Sequence, residues 1–213
     1  AIGEAALDAV TSGADNTAVG DNAAGATTTG GNNVAVGSAA LLVNTTGADN
    51  VAVGVGALDA NTTASNNVAV GSGALSANST GTSNTAVGKD AGLAVSTGQN
   101  VTILGYTAGD ALTTANNVTA LGSLALSTAT TVSGSTAVGY KAGNAATTAT
   151  DLTAVGYRAG QAVTTGAANT LVGSDAGVAT TTGINNVAVG AYSLTANTTG
   201  EDNISIGTGT MIA

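Results

Sequence analysis

Aromatic and basic side chains come together at one place in the sequence. Tyr140 is followed by Lys141, and 17 residues later Tyr157 is followed by Arg158. Tyrosine rings beside cationic donors are suited to stacking on a ligand and to hydrogen bonding its polar groups. These four residues could therefore form a surface contact for a glycan or for a neighbouring protein chain. The alternative is a solvated ladder of charges.

Acidic residues nearby in the sequence support that alternative. In a solvated ladder, Asp151 and Asp175 would neutralise the two cations and the tyrosines would have no ligand. Exposed ion pairs of this kind contribute little to stability and need no functional explanation. The sequence leaves both interpretations of the cluster open.

The side chains that catalysis and metal binding need are scarce. The chain has no His and no Cys, so His-based triads and thiol nucleophiles cannot be built. A pair of carboxylates remains conceivable among the twelve acidic residues, but Asp8, Asp59 and Asp110 recur only in every third repeat, which keeps like charges apart. Turns rich in Asp and Asn could offer oxygen ligands to Ca²⁺, although Asx turns explain them without a metal. We expect no enzyme activity and no catalytic, metal or cofactor site.

Composition excludes two further classes of partner. The net charge is −9 with three basic residues, whereas nucleic-acid surfaces need clustered Lys and Arg. No apolar run approaches the ~20 residues of a membrane-spanning helix. We expect neither nucleic-acid binding nor membrane insertion.

A single repeat must position all of these side chains. Glycines recur every 17 residues along the whole chain, and we call them the corner glycines. A fixed period of this size is typical of a solenoid, in which each repeat buries its apolar face against its neighbours. We therefore expect residues 1–213 to form one array of about twelve and a half 17-residue coils, as a segment of a longer protein. The corner glycines are Gly3, Gly20, Gly37, Gly54, Gly71, Gly88, Gly105, Gly122, Gly139, Gly156, Gly173, Gly190 and Gly207.

Within each coil the pattern predicts two strands joined by turns. The segment 17–19 and its equivalents read as a short strand, residues 23–28 read as a second and weaker one, and Asp15-Asn16 reads as a turn. Equivalent strands would pair in parallel about 4.8 Å apart. The sequence thus predicts an all-β fold, a parallel β-solenoid or β-roll with one coil per repeat.

The first strand also predicts self-association. Its side chains alternate between Thr or Val on one face and Ala on the other, so both faces are nearly apolar. Strands that are apolar on both faces are typical of sheets covered on both sides. One face can line the coil interior and the other needs a partner. We expect a homo-oligomer.

Two further columns of the repeat allow alternative interpretations. Paired hydroxyls such as Thr45-Thr46 suggest a flat ice-binding face, but the neighbouring column is irregular (Thr27, Asn44, Leu112) and favours a hydroxyl ladder within the turns. In four coils the fourth residue after the corner glycine is Leu and the first is Ser or Val, and in four others the fourth is Gly and the first is Lys or Tyr. The two sets are Leu41, Leu58, Leu75 and Leu126, and Gly92, Gly109, Gly143 and Gly160. We interpret this as an exchange of side-chain size between the two positions.

Residues 66–81, Asn-Asn-Val-Ala-Val-Gly-Ser-Gly-Ala-Leu-Ser-Ala-Asn-Ser-Thr-Gly, resemble the repeats of phage tail-fibre and bacterial surface fibre proteins. The Val-Ala-Val-Gly core is also similar to the head repeats of trimeric autotransporter adhesins, whose rows are shorter. The resemblance covers the whole chain and implies a homotrimer of β-rolls, intertwined or side by side, on a cell surface or virion or otherwise extracellular. The implied function is a rigid spacer or attachment element that meets a host-surface glycan or protein. A self-assembling filament or sheath is the alternative, and a flat-face carbohydrate- or ice-binding protein is a third hypothesis.

Overall fold

The chain forms a parallel β-solenoid of 17-residue coils in a computed structural model that describes residues 1–211. Each coil contributes one three-residue strand, and the twelve strands form a single sheet in sequence order. Partners in neighbouring strands are always 17 residues apart, as Thr17 and Val34 are. The predicted fold is therefore confirmed. The strands are β1 (Thr17–Val19), β2 (Val34–Val36), β3 (Val51–Val53), β4 (Val68–Val70), β5 (Thr85–Val87), β6 (Thr102–Leu104), β7 (Thr119–Leu121), β8 (Thr136–Val138), β9 (Thr153–Val155), β10 (Thr170–Val172), β11 (Val187–Val189) and β12 (Ile204–Ile206).

A corner glycine ends every strand for two physical reasons. The φ angles of these glycines lie between +123° and +142°, a region that residues with a Cβ rarely adopt. A Cβ on Gly54 would also lie 2.5 Å from both the carbonyl carbon and the oxygen of Gly71 in the next coil. Positive φ and close packing of adjacent coils therefore both exclude side chains here.

The expected second strand is wrong. Residues 23–28 form successive turns, in which the backbone N–H of Ala23 donates to Gly20, that of Gly25 to Asn22 and that of Thr27 to Ala24. Asn22 and Ala24 have φ angles of 55° and 49°, and positive φ at alternate residues takes the backbone out of the β region. Every other N–H still bonds to the adjacent coil, so the turns stack as regularly as the strands.

The paired hydroxyls form the predicted ladder in the turns. The first hydroxyl of each pair donates to the backbone carbonyl of its equivalent one coil onward, as Thr28 Oγ1 does to Thr45 at 3.0 Å. Eleven such bonds follow one another from Thr11 to Thr198. The irregular neighbouring column faces the interior, since Thr27, Asn44 and Leu112 are buried. Its variation therefore reflects core packing.

Asparagine side chains form a second ladder, inside the solenoid. From the sequence these asparagines are expected only as turn residues. In the coils near both ends of the array, the residue directly before the strand is Asn. The side chains of Asn33, Asn50, Asn67 and Asn84 are buried. Each amide nitrogen donates inward to a backbone carbonyl, as Asn67 Nδ2 does to Gly81 at 3.0 Å. These bonds satisfy polar groups that would be costly to bury alone.

Size exchange does occur in the core, but between other positions than those predicted. The first residue after the corner glycine is exposed at Tyr106, Tyr140 and Tyr157, so it cannot pack against the buried fourth residue. Glycine at the fourth position instead makes room for interior side chains of other columns. A Cβ on Gly177 would lie 2.6 Å from Leu171 Cδ2.

One face of the sheet is not covered by the chain itself. The middle residue of each strand is buried, whereas the first and third residues are half-buried or exposed. Among them, Leu104 is 48% exposed and Ile206 is 67% exposed. We call this surface, made of the first and third residues of β1 to β12, the outer face. A single copy therefore satisfies only half of the prediction that the strands are covered on both sides.

Candidate surface-binding site

The predicted cluster lies on a ridge beside the sheet. The ridge consists of the two residues that follow each corner glycine, where the chain turns away from the strand. The second of these residues has a positive φ angle, 54° at both Lys141 and Arg158. All four tyrosines and all three basic residues of the chain occupy this ridge: Lys89, Tyr106, Tyr140, Lys141, Tyr157, Arg158 and Tyr192.

The two predicted tyrosines contact each other. The rings of Tyr140 and Tyr157 are stacked with centroids 5.6 Å apart and an angle of 18° between their planes. Each is accompanied by the cation that follows it, with Lys141 Nζ 5.5 Å from the Tyr140 centroid and Arg158 Cζ 5.5 Å from the Tyr157 centroid. The structure thus brings all four predicted residues into one cluster. Tyr140 and Tyr157 remain 41% and 50% exposed, so the cluster faces solvent.

Neutralisation of the cations is uneven. Arg158 Nε lies 2.8 Å from Asp175 Oδ1, and the Asp175 side chain is 10% exposed. This ion pair agrees with the charge-ladder interpretation at Arg158. Lys141 forms no ion pair within residues 1–211, and Asp151 is exposed without one there. At Lys141, therefore, no carboxylate of the described residues neutralises the charge.

Three coils earlier, the ridge repeats the same combination of groups. Lys89 Nζ lies 5.8 Å from the centroid of the Tyr106 ring and 2.6 Å from Asp90 Oδ2. The Asp90 carboxylate raises the pKa of Lys89 through this hydrogen bond. Sequence analysis missed Lys89 and Tyr106 because they stand in adjacent coils, although both occupy the column of Tyr140 and Tyr157.

Acidic side chains stay dispersed over the residues that the structure describes. Within the described part of the chain, no three acidic, His or Cys residues gather closely enough to hold an ion. In the exposed turns before β2 and β3 an amide pairs with a carboxylate instead, since Asn32 Nδ2 donates to Asp49 Oδ1 at 3.1 Å. Both residues have positive φ angles, 58° each, a region that Asn and Asp tolerate better than most residues. Neither side chain accepts a hydrogen bond from the backbone N–H two residues on, so the expected Asx turns are not formed at this pair.

No helix in the described residues has the length and hydropathy needed to cross a bilayer. Comparison with protein-family models, curated proteins and solved structures finds no match for the chain.

Proposed function

We propose that the chain is the shaft or head segment of an extracellular fibre, on a virion or a cell surface, where it acts as a rigid spacer and attachment element. The uncovered outer face carries the proposal, because it requires a partner along the full length of the solenoid. A second copy of this chain is the partner that fits. Three copies are favoured by the resemblance of residues 66–81 to repeats of trimeric fibre proteins.

The outer face is uncharged although the chain carries a net charge of −9. Its two files contain only Thr, Val, Ile and Leu, from Thr17 and Val19 to Ile204 and Ile206. Acidic residues lie elsewhere on the coil, so copies that meet through this face keep like charges apart. A strip of mostly aliphatic side chains of this length is otherwise unfavourable on a free surface in water.

Matching periodicity favours a second copy over an unrelated protein. Twelve strands spaced about 4.8 Å apart give a face roughly 55 Å long. With a width of about 10 Å, a pair of copies would bury on the order of 1,100 Å² in total, close to the lower end of the range for stable complexes. In a trimer each copy would share this face between its two neighbours, and side chains of equal spacing can interdigitate along the whole rod.

Continuous hydrogen bonding supports the role of a spacer. Strand ladders, the hydroxyl ladder and the asparagine ladder all run along the solenoid axis. Bending the rod would stretch these bonds on one side in many coils at once. The solenoid should therefore be stiff along its axis.

Cysteine cross-linking tests the proposed interface, because the chain has no cysteine of its own. We expect Thr136→Cys, in the middle of the outer face, to give covalent dimers with a short bismaleimide at low protein concentration. The matched control is Thr148→Cys, an exposed residue of the turns, which should remain uncross-linked. Equal cross-linking at both positions would contradict the interface.

Sedimentation velocity at several concentrations tests the oligomeric state. We expect a constant trimer, and Val138→Lys should dissociate it by placing a charge in the contact. A monomer at all concentrations would overturn the proposal. Mass that grows without limit would favour the self-assembling filament instead.

A further inference from the structure

We propose that the ridge binds an acidic oligosaccharide, with one sugar ring inserted between Tyr106 and Tyr140 above Ser123. The inference builds on the proposed fibre function, because it supplies the chemistry by which the shaft would attach to a surface. The site lies next to the predicted pair Tyr140 and Tyr157, and it adds residues that the sequence analysis did not select.

The order of residues along the ridge creates a slot. In successive coils the first ridge residue is Lys89, Tyr106, Ser123, Tyr140 and Tyr157. Tyr157 covers one face of the Tyr140 ring by stacking at 5.6 Å. On the opposite side of Tyr140 lies the preceding coil, whose first ridge residue is the small Ser123. Because Ser123 has a short side chain, a gap is left between Tyr140 and Tyr106.

The gap has the size of one ring. Tyr106 and Tyr140 are two coils apart, which is about 10 Å at the spacing of parallel strands. Stacked rings prefer centroid distances of about 4.5–7 Å, so a single ring can lie about 5 Å from each tyrosine. A pyranose presents C–H groups on its faces and hydroxyls on its rim, so its faces can contact the tyrosines while its rim stays in water.

Local charge selects for an acidic sugar. Lys141 lies beside Tyr140 without an ion-pair partner in residues 1–211. Lys89 is paired with Asp90 on the far side of Tyr106, but its side chain is 61% exposed. A carboxylate on the inserted sugar or on its neighbour would give Lys141 the partner it lacks. Because the chain as a whole is anionic, this attraction has to be local and should weaken as salt is added.

Binding of three acidic oligosaccharides tests the proposal directly. Tetragalacturonate, a hyaluronate tetrasaccharide and sialyllactose would be titrated into the full chain, with maltotetraose and lactose as neutral counterparts. Tyrosine fluorescence and calorimetry would report binding. We expect at least one acidic probe to bind about tenfold more tightly than the neutral ones, and to lose that preference in Lys141→Gln. Failure of all three acidic probes, or equal binding of the neutral ones, would overturn the proposal.

Closing the slot tests its position. Ser123→Tyr places a ring in the gap, so the sugar can no longer enter and binding should weaken about tenfold or more. The coil should accept the substitution, because tyrosine already occupies this column at Tyr140 and Tyr157. The matched control is Ser72→Tyr, an exposed position of the same column in a coil without tyrosine neighbours. Unchanged affinity in Ser123→Tyr would overturn the site. Binding of the peptide Ala-Trp-Ala in place of every sugar would overturn it in favour of a protein partner.

Sedimentation of the same variants separates this proposal from the fibre function. Ser123 lies on the ridge and outside the outer face, so Ser123→Tyr should leave the oligomer unchanged. Loss of sugar binding with an intact trimer in Ser123→Tyr supports the slot. A chain that binds the acidic probes as a monomer would keep the slot and refute the fibre interface.

Discussion

The side-chain oxygen of Asn50 accepts two hydrogen bonds from Asn67 one coil onward, from the backbone N–H at 3.0 Å and from the side-chain amide at 3.2 Å. Asn67 repeats this arrangement toward the next coil by accepting the backbone N–H of Asn84 at 3.0 Å. Both side chains are fully buried. Each asparagine therefore fixes the position of its successor and satisfies backbone groups that water cannot reach.

Replacing Asn67 by Asp should be strongly destabilising. The carboxylate cannot donate to Gly81 and would be buried without a cation, which costs about 3–5 kcal/mol of unfolding free energy. Urea denaturation at neutral pH measures the loss. The cost should shrink in acid, because a protonated carboxyl regains one donor.

Asn66→Asp is the control for this change. Asn66 is exposed and lies in a column where Asp15, Asp49 and Asp151 are native. We expect its unfolding free energy to stay within about 0.5 kcal/mol of the wild type. Equal losses for Asn66→Asp and Asn67→Asp would mean that the interior ladder has no special importance.

The corner glycine Gly54 and its neighbour Gly56 allow an equally close comparison within one coil. Gly54→Ala should cost several kcal/mol, at least ~3, because it combines a φ of +142° with backbone atoms 2.5 Å from the new Cβ. Gly56→Ala also has a positive φ, 63°, but the new Cβ would meet nothing closer than Asp59 Oδ2 at 3.9 Å. It should cost only about 1–2 kcal/mol. Thermal unfolding of the two variants gives the comparison, and similar melting temperatures would contradict the role of close packing.

Those parts of the fold that follow from the 17-residue period of the sequence were predictable. The spacing of the corner glycines fixes the coil length, and the Val-Ala-Val segments predict the strands. The sequence leaves open which face points inward, because both faces are nearly apolar, and the structure shows that it is the face of the middle residue. The turns after the corner were not predictable, because nothing in the side chains of Ala23 to Thr28 reveals that Asn22 and Ala24 have positive φ angles. Such angles are unusual for alanine, and the stacking of neighbouring coils imposes them.

Two carboxylates should make stability depend on pH. Burial raises the pKa of Asp59 and of Asp110, and backbone N–H groups nearby lower it by less. The folded pKa is therefore above the unfolded value of 3.8, so the folded chain binds more protons in that window and unfolding free energy falls as pH rises through it. The double variant Asp59→Asn with Asp110→Asn should have a higher unfolding free energy at neutral pH, and so a higher melting temperature. The gain in free energy should be less than ~1 kcal/mol per site, because both groups keep contact with solvent. The gain should vanish near pH 3.

Asp8→Asn is the matched control for the pH experiment. Asp8 occupies the same column in the first coil, where its side chain is exposed. The melting temperature of this variant should follow that of the wild type at every pH. A rise as large as that of the double variant would assign the effect to net charge and not to burial.

The candidate site was predictable in part for a similar reason. Tyr140, Lys141, Tyr157 and Arg158 are adjacent in the aligned repeats, and neighbouring coils bring equivalent residues into contact. The slot at Ser123 was not predictable, because it depends on which face of Tyr140 is already covered. Only the stacking of Tyr140 on Tyr157 shows that the free face points toward Ser123.

An exchange of residues tests how the core conserves its volume. Leu171 is fully buried and fills the space that Gly177 leaves open, with its Cδ2 2.6 Å from where a Cβ would be. Leu171→Ala alone should cost about 2–5 kcal/mol through a cavity, and Gly177→Leu alone at least as much through overpacking. Together they recreate the arrangement of Ala35, Leu41 and Ala52 in an earlier coil. The double variant should therefore recover at least ~2 kcal/mol relative to the sum of the single changes. Urea denaturation of the four proteins in the cycle measures this coupling, and additive losses would show that the two side chains do not compete for the same space.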